Sequence, residues 1–317
     1  MAVHTHLSEK DIVKIISKYD IGELKLFSGI KEGIENTNYL IQTQQDSFVL
    51  TIFEKRLKKS KLPYILKLMK RLNNSGIKCP IPVADKKEKL INLIGNKQFS
   101  LFSFINGKSK KKWTDNDCYQ VGAVLGNLHQ VGNNFLPHIE NDFSIDTWKN
   151  LFQKCNKKGN LFENKTNVDI TNEIQFILKN WPQNLPMGII HADLFPDNIF
   201  FSEDKICGVI DFYFSCYDFL MYDLAIAVNA WCFKKGNFME CNLKQLIKGY
   251  ESIRKISTNE KNKFNILLRG ACLRFLTTRM YDSVFKKKSE YVLTKDPREY
   301  LKILRFHQKN NNGLNYF

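Results

Sequence analysis

The stretch from His191 to Asp211 constrains this chain more than any other. It reads His191-Ala-Asp193-Leu-Phe-Pro-Asp-Asn198 and, after a short apolar gap, Ile210-Asp211-Phe212. Asp193, Asn198 and Asp211 are three oxygen-bearing side chains at the spacing a phosphoryl-transfer site needs. One carboxylate, Asp193, orients an attacking hydroxyl and accepts its proton. The Asn198 amide and the Asp211 carboxylate hold Mg²⁺ against nucleotide phosphates. The local pattern supports this. Leu185, Met187, Ile189 and Ile190 make an apolar lead-in, and Pro196-Asp197 marks a turn. Ile199-Phe200-Phe201 and Ile206 to Ile210 read as two strands joined at Glu203-Asp204-Lys205. Asn198 and Asp211 then fall at the two ends of one hairpin and are expected to reach the same ion. Mg²⁺ keeps few protein ligands beside phosphate oxygens and water, which suits so sparse a set. A lone Asp or Asn in a turn is usually a local hydrogen-bond cap; the joint spacing carries the argument. His191 reads as a backbone brace, and Asp197 as a solvated turn residue.

A chain of 317 residues can bury a large core and is expected to form two lobes. The formal charge of +16 raises the question of nucleic acid. The lysines are scattered, however, with short clusters at Lys108 to Lys112 and Lys286 to Lys288, and no nucleic-acid motif accompanies them. A lysine-biased surface that also attracts an anionic nucleotide is the reading adopted. The eight cysteines form no C-x-x-C pair and several sit in apolar segments, so reduced, buried thiols are expected. Residues 1–20 lack a signal-peptide core, and no apolar run of membrane-spanning length occurs. A cytoplasmic location with no membrane and no nucleic-acid partner is expected.

Upstream, Ser8 with Asp11 reads as a capping box before a helical stripe of Ile12, Ile15, Ile16 and Tyr19. Leu24 to Ser28 and Tyr39 to Thr43 read as strands around the loop Gly29 to Asn38. Such a loop folds over phosphates and donates backbone N–H groups, with Gly29, Gly33, Asn36, Thr37 and Asn38 as its candidate contacts. Ser47 to Phe53 reads as a strand, Leu62 to Leu72 as a helix, and Leu90 to Ile94 with Phe99 to Phe104 as a strand pair. Asn106-Gly107 breaks the pattern and marks the lobe hinge, where backbone groups around Ser103 to Ile105 are placed to meet adenine. Thr114 with Asp117 is a second capping box, opening a helix in which Gly122 and Gly126 permit close packing. Helical patches follow around Trp148 to Cys155 and Ile170 to Trp181. Beyond the hairpin, Asp223 opens a strongly apolar helix, where a carboxylate in the first turn is favoured. Helices over 240–254 and 260–282 complete the pattern.

Taken in order, these pieces resemble the aminoglycoside phosphotransferase and choline kinase superfamily, and within it the homoserine kinases. The resemblance rests on Gly29-Ile-Lys-Glu-Gly-Ile-Glu-Asn-Thr-Asn-Tyr39, Leu50-Thr-Ile-Phe-Glu-Lys-Arg56 and His191 to Asn198. It continues through Ile210-Asp-Phe-Tyr-Phe214, Tyr222-Asp-Leu-Ala-Ile226, Leu273-Arg-Phe and Thr278-Arg-Met-Tyr-Asp282. It implies an α+β, two-lobed protein-kinase-like fold: a small β-rich nucleotide-binding N-lobe over 1–105 and a larger, mainly helical catalytic and substrate-binding C-lobe over 106–317. It also implies ATP-dependent phosphorylation of the homoserine side-chain hydroxyl, a step toward threonine, with Mg²⁺ as cofactor. By motif position Asp193 is the base, Asn198 and Asp211 the metal ligands, and residues 29–38 the phosphate loop. The chain departs from the wider pattern in three places. Thr51 stands where a phosphate-pairing lysine is usual; Lys55, on the same strand parity, is a candidate substitute, against the alternative of a merely exposed lysine. The helix Leu62 to Leu72 has no Glu for a Lys–Glu pair, and Tyr213 follows Phe212 where a glycine is usual.

Homoserine is a zwitterion, so its pocket needs a cation for the carboxylate and an acceptor for the ammonium group. An arginine fork suits the first task. Phe264, Leu267, Leu268, Ala271, Cys272 and Phe275 define one buried helical stripe; Arg279 lies on it and Arg274 borders it. Both are candidate anchors, against the alternative of arginines paired with internal acids such as Asp282. Glu32 and Glu35 are candidates to face the site, with solvated loop charges as the equal alternative. The competing substrates are choline or ethanolamine, with Trp231, Phe233 and Tyr217 as a possible aromatic cage, or an aminoglycoside. A catalytically idle kinase-like binding protein is the remaining alternative.

Overall fold

The computed structural model describes residues 4–30, 36–54, 58–159, 161–285 and 295–317. Gly33, Glu32, Glu35, Lys55 and the cluster Lys286 to Lys288 lie outside them. The described residues fall into two compact units. Unit 1 holds the residues up to Gly107 together with Cys207–Tyr213; unit 2 holds Lys108–Ile206 and the described residues from Phe214 onward.

Unit 1 opens with α1 (Glu9–Ile16), where Ser8 and Asp11 form the reciprocal capping box that their spacing predicts. Its sheet contains β1 (Leu24–Gly29), β2 (Thr37–Thr43), β3 (Ser47–Ile52), β4 (Pro82–Val83), β5 (Asn92–Ile94) and β6 (Lys97–Ser103). The order is β1-β2-β3-β6-β4, with β5 also paired to β6. The described pairings are antiparallel, and Thr51 lies opposite Asn38 in the β2–β3 ladder. Strand β2 alternates buried and half-buried residues, so its inner face joins the core of Ile12, Ile16, Ile41, Leu50, Ile52 and Phe99. Helix α2 (Leu62–Asn74) follows β3 and buries Ile65, Leu66, Leu68, Met69 and Leu72.

Unit 2 is mainly helical. It contains α3 (Asp115–Gly132), α4 (Ile145–Lys158), α5 (Asn164–Asn180), β7 (Met187–Ile190) and β8 (Ile199–Ser202). β9 (Lys205–Val209) pairs with β8 and passes at Cys207 into the part of the chain assigned to unit 1, toward Asp211. Then come β10 (Cys216–Phe219), α6 (Leu220–Trp231), β11 (Phe233–Lys234), β12 (Asn237–Phe238), α7 (Glu240–Glu251), α8 (Thr258–Phe285) and α9 (Pro297–Lys309). The chain is thus the mixed α+β protein expected. Thr114 and Asp117 cap α3 reciprocally. Gly122 lets α3 and α7 approach closely: a Cβ there would lie 2.0 Å from the Leu246 carbonyl oxygen.

Two expectations need correction. Helix α8 has no single apolar stripe, because from Leu267 to Thr277 it is buried on all sides, including Arg269 and Arg274. A helix packed all round cannot be read from one-sided periodicity. The thiols are free as expected, yet not all buried: Cys241 is exposed and Cys207 half-buried.

The C-terminal end of unit 2 is tied by a buried polar knot. His307 meets the Tyr316 hydroxyl at 2.8 Å and Asn229 Oδ1 at 2.8 Å. The Asn229 amide in turn donates to the Leu268 carbonyl. Burial pushes the His307 pKa down to about 3 from its ordinary 6.5. The unfolded chain therefore binds a proton near pH 6.5 that the folded chain refuses. This stability is complete above that pH and is lost progressively as the pH falls toward about 3. Between pH 6.5 and 4, wild type is expected to lose stability relative to His307→Gln by up to about 1.4 kcal/mol per pH unit. Denaturant titrations of the two proteins check this, and parallel pH profiles would refute it.

Candidate active site

β7 is four residues of Met-Gly-Ile-Ile whose last three are buried, and it delivers the chain to His191. Its partner β10 runs antiparallel, with Cys216 opposite Ile190 and Asp218 opposite Gly188. The loop that follows is held from several sides. Ala192 has φ 65°, a left-handed conformation unfavourable for a residue with a Cβ. It persists because its peptide neighbours are clamped. The fully buried Asp223 accepts from His191 N at 2.7 Å and Ala192 N at 2.8 Å. Arg274 Nη1 donates to the Ala192 carbonyl at 2.7 Å. Asp223 thus turns its carboxylate to the loop, on N–H groups 31 and 32 residues away.

Asp223 is supported from behind. His129 Nε2 lies 3.2 Å from Asp223 Oδ2, and His129 Nδ1 lies 2.7 Å from the Tyr250 hydroxyl. Burial lowers the His129 pKa, so its imidazole is neutral; Nε2–H then donates to Asp223 and Nδ1 accepts from Tyr250. Burial opposes the Asp223 charge, but the hydrogen bonds from His129 and from the His191 N–H hold its carboxyl below the ordinary range. Arg254 reaches Tyr250 and pairs with the buried Glu260 at 2.6 Å, extending the network to α8.

Past Ala192, Asp193 is half-buried and its N–H donates to His191 Nδ1 at 3.2 Å. The turn Pro196–Asn198 folds the chain back. The buried Asn198 amide then donates to the Asp193 carbonyl at 2.8 Å and to Asp193 Oδ2 at 3.1 Å. One amide nitrogen therefore fixes both the backbone and the carboxylate of Asp193. Asn198 Oδ1, a hard oxygen, takes no part in those bonds. Lys295 pairs with Asp197 at the turn's surface. Asn198 immediately precedes β8, and Asp211 follows β9 by two residues, with φ 65°.

In unit 1, the described part of the predicted phosphate loop is bound into its own surroundings. Gly29 ends β1 opposite Tyr39, and Ile30 N donates to the Asn38 carbonyl. Asn36 Oδ1 accepts from Glu54 N at 3.3 Å. Thr37 Oγ1 accepts from His4 N and Thr5 N and donates to Glu54. Asn38 accepts from Thr51 at 2.8 Å, so Thr51 supports β2 from the place where a lysine is usual. The Tyr213 hydroxyl faces Thr51; burial, then the Asp211 charge, pushes its pKa up. Sequence reasoning missed Lys97, whose ammonium pairs with Glu54 and also meets Thr5. Glu54 lies 43 residues from Lys97, with no local spacing to betray the pair. Of the adenine candidates, Ser103 uses its N–H on the Ile81 carbonyl, and Ile105 accepts from Gly107 N at 3.0 Å.

The two arginines of α8 differ. Arg279 lies over Tyr300 at 4.4 Å and pairs with Glu299 at 2.7 Å. Arg274 is 2 % exposed and ringed by Phe143, Phe214 and Phe275, and forms no ion pair among the described residues. A third buried arginine, Arg269, grips Glu173 with two bonds of 2.6 Å. Trp231 is fully buried and donates to the Leu194 carbonyl, and Tyr217 stacks on His138 at 3.6 Å; both are engaged in packing.

The phosphotransferase enzyme family model matches residues 27–254 of the 317, taking in both the loop region and the His191–Asp211 segment. The chain belongs to the phosphotransferase enzyme family. Among curated members, the homoserine kinase of Rhizobium etli is 39% identical over 317 residues, covering 100% of this chain and 99% of that one. The homoserine kinase of Xanthobacter autotrophicus is 40% identical over the same span, again with 99% of its length covered. This phosphotransferase also shares its fold with an amicoumacin kinase solved with AMP-PNP and Ca²⁺, with a TM-score of 0.73 at 14% identity over 97% of this chain and 95% of that one. The kinase-like α+β fold expected from the motifs is therefore the fold of this enzyme, and no described helix is long and apolar enough to cross a membrane.

Proposed function

We propose that this phosphotransferase transfers the γ-phosphoryl group of ATP directly to the side-chain hydroxyl of L-homoserine, giving O-phospho-L-homoserine on the route to threonine. The observation that carries this reading is the whole-length match to curated homoserine kinases at 39–40% identity. A cytoplasmic location and a small-molecule partner accord with it.

In this reading Asp193 aligns the acceptor hydroxyl and takes its proton as the bond to phosphorus forms. Asn198 holds the Asp193 carboxylate in place through its amide nitrogen. The donor set fits a hard divalent cation, because Asn198 Oδ1 and the Asp211 carboxylate are oxygens. Asn198 and Asp211 would hold Mg²⁺, which when bound neutralises charge on the phosphates. The segment 29–38, including Gly29, Gly33, Asn36, Thr37 and Asn38, is proposed as the phosphate loop, acting through backbone N–H groups. Ser103 and Ile105 mark the proposed adenine contact, and the stretches 1–105 and 106–317 are proposed as the nucleotide and acceptor lobes. Of the two candidate anchors for the acceptor's carboxylate, Arg274 is preferred, because Arg279 is already paired with Glu299.

The test is product analysis with Mg-ATP and a panel of L-homoserine, choline, ethanolamine and an aminoglycoside. Homoserine is expected to be phosphorylated with at least about a hundredfold higher kcat/KM than the others. Preference for any other member would refute the assignment. With ATP made chiral at the γ-phosphorus, inversion at phosphorus is expected; retention would require a phosphoenzyme and contradict direct transfer.

A further inference from the structure

Arg274 presents an electrostatic imbalance. It is 98 % withdrawn from water, and no carboxylate neutralises it within ion-pair distance among the described residues. Its described partners are the Ala192 carbonyl and three aromatic faces: Phe275 at 4.8 Å, Phe143 at 5.4 Å and Phe214 at 5.9 Å. A guanidinium carries five N–H donors in a fork, and one bond to a carbonyl leaves most of that capacity unspent. A buried cation left so is costly unless something supplies the anion. The fully buried Tyr222 hydroxyl faces the same charge without a hydrogen bond of ordinary geometry.

The opposite charge is nearby but held off. Asp218, on β10 opposite Gly188, feels the Arg274 charge without pairing with it. Its Oδ2 accepts from the Asn141 amide at 2.8 Å, and its Oδ1 accepts from Phe219 N at 2.7 Å. Asn141 is itself fixed, since its Oδ1 accepts from Phe143 N at 2.8 Å. One short stretch, 141–143, thus touches both charges: Asn141 holds the acid, and Phe143 shields the arginine. Burial pushes the Asp218 carboxyl above its ordinary range, against the opposing pull of the Asn141 and Phe219 hydrogen bonds and of the Arg274 charge. Arg274 is bonded to the residue preceding Asp193, so its charge lies beside the loop that carries the proposed base. A cation and an anion fixed apart by separate braces suit a zwitterion inserted in the reverse sense.

We infer that Asp218, braced by Asn141, reads the ammonium group of the acceptor, opposite Arg274, which reads its carboxylate. The inference rests on the homoserine reading and deepens it: the enzyme selects an amino acid, where an amino alcohol or a hydroxy acid satisfies only one of the two charges. A site built for a buried polar partner strongly rejects an analogue lacking it, because its own groups are then left unpaired.

The test measures kcat/KM with Mg-ATP for L-homoserine, 4-hydroxybutanoate (no ammonium group) and 3-amino-1-propanol (no carboxylate), in wild type, Asp218→Asn, Arg274→Gln and Asn141→Ala. Wild type is expected to disfavour each truncated acceptor by about 10²–10⁴-fold. Asp218→Asn is expected to bring 4-hydroxybutanoate within about tenfold of homoserine while still rejecting 3-amino-1-propanol. Arg274→Gln is expected to do the reverse, and Asn141→Ala to shift the first ratio in the same direction as Asp218→Asn by a smaller factor. An Asp218→Asn enzyme slowed equally toward all three acceptors overturns the inference. So does an Asn141→Ala enzyme with an unmoved ratio, should Asp218→Asn fail to fold. A wild type that ignores homoserine while phosphorylating another alcohol instead defeats the functional reading itself.

Discussion

Asp193→Asn is expected to lower kcat for homoserine by about 10²–10⁴-fold while leaving the Kd for ATP within about threefold. The substitution keeps the size and plane of the side chain. Its carbonyl oxygen still accepts from the Asn198 amide, which lies 3.1 Å from Asp193 Oδ2. The bonds from the Asn198 side-chain amide and the Phe195 N–H to the Asp193 carbonyl are untouched, at 2.8 Å each. What is lost is an oxygen able to take a proton. Turnover measured by phosphohomoserine formation, beside ATP affinity measured by calorimetry, separates the two effects. A variant with near wild-type kcat would remove Asp193 from the chemistry, and one that no longer binds ATP would make it a structural residue.

Asp223→Ala is expected to cost about 3–5 kcal/mol of folding stability and to abolish measurable turnover. Asp223 is fully buried and accepts from two backbone N–H groups and from His129. Alanine leaves those donors unpaired in a dry interior, a penalty much larger than the net value of the bonds. It also removes what keeps Ala192 at φ 65°. Asp223→Asn is expected to fall between, since one amide oxygen cannot serve both N–H groups equally well. Denaturant unfolding of the three proteins gives the order. Equal midpoints would show that the loop does not depend on this carboxylate.

The contrast between these two aspartates shows what the sequence could disclose. Asp193 and Asn198 are five residues apart, and a Pro-initiated turn closes the distance, so the pattern is local. The capping boxes at Ser8 and Thr114 are legible for the same reason. Asp223 was readable as a first-turn carboxylate, but its partners lie about thirty residues upstream, and no spacing rule points to them. The clamp of Arg274 on Ala192 and the grip of Arg269 on Glu173 span 82 and 96 residues. Arginine on α8 therefore looked like a choice between two equivalent candidates until the chain was folded. The short pairs β11 and β12 are two residues each, too brief for any alternation to register. Helix α9 was missed although its signals are local: Asp296 caps it and Pro297 opens it.

The central claim is that this phosphotransferase moves phosphate from ATP to the hydroxyl of homoserine with Asp193 receiving the proton. Single-turnover transfer from γ-labelled ATP, with the enzyme in excess and homoserine saturating, tests it most directly. The account predicts label on the homoserine side-chain oxygen in wild type, appearing at least about a hundredfold more slowly in Asp193→Asn. Label that never reaches homoserine, or that reaches it equally fast in both proteins, would contradict it.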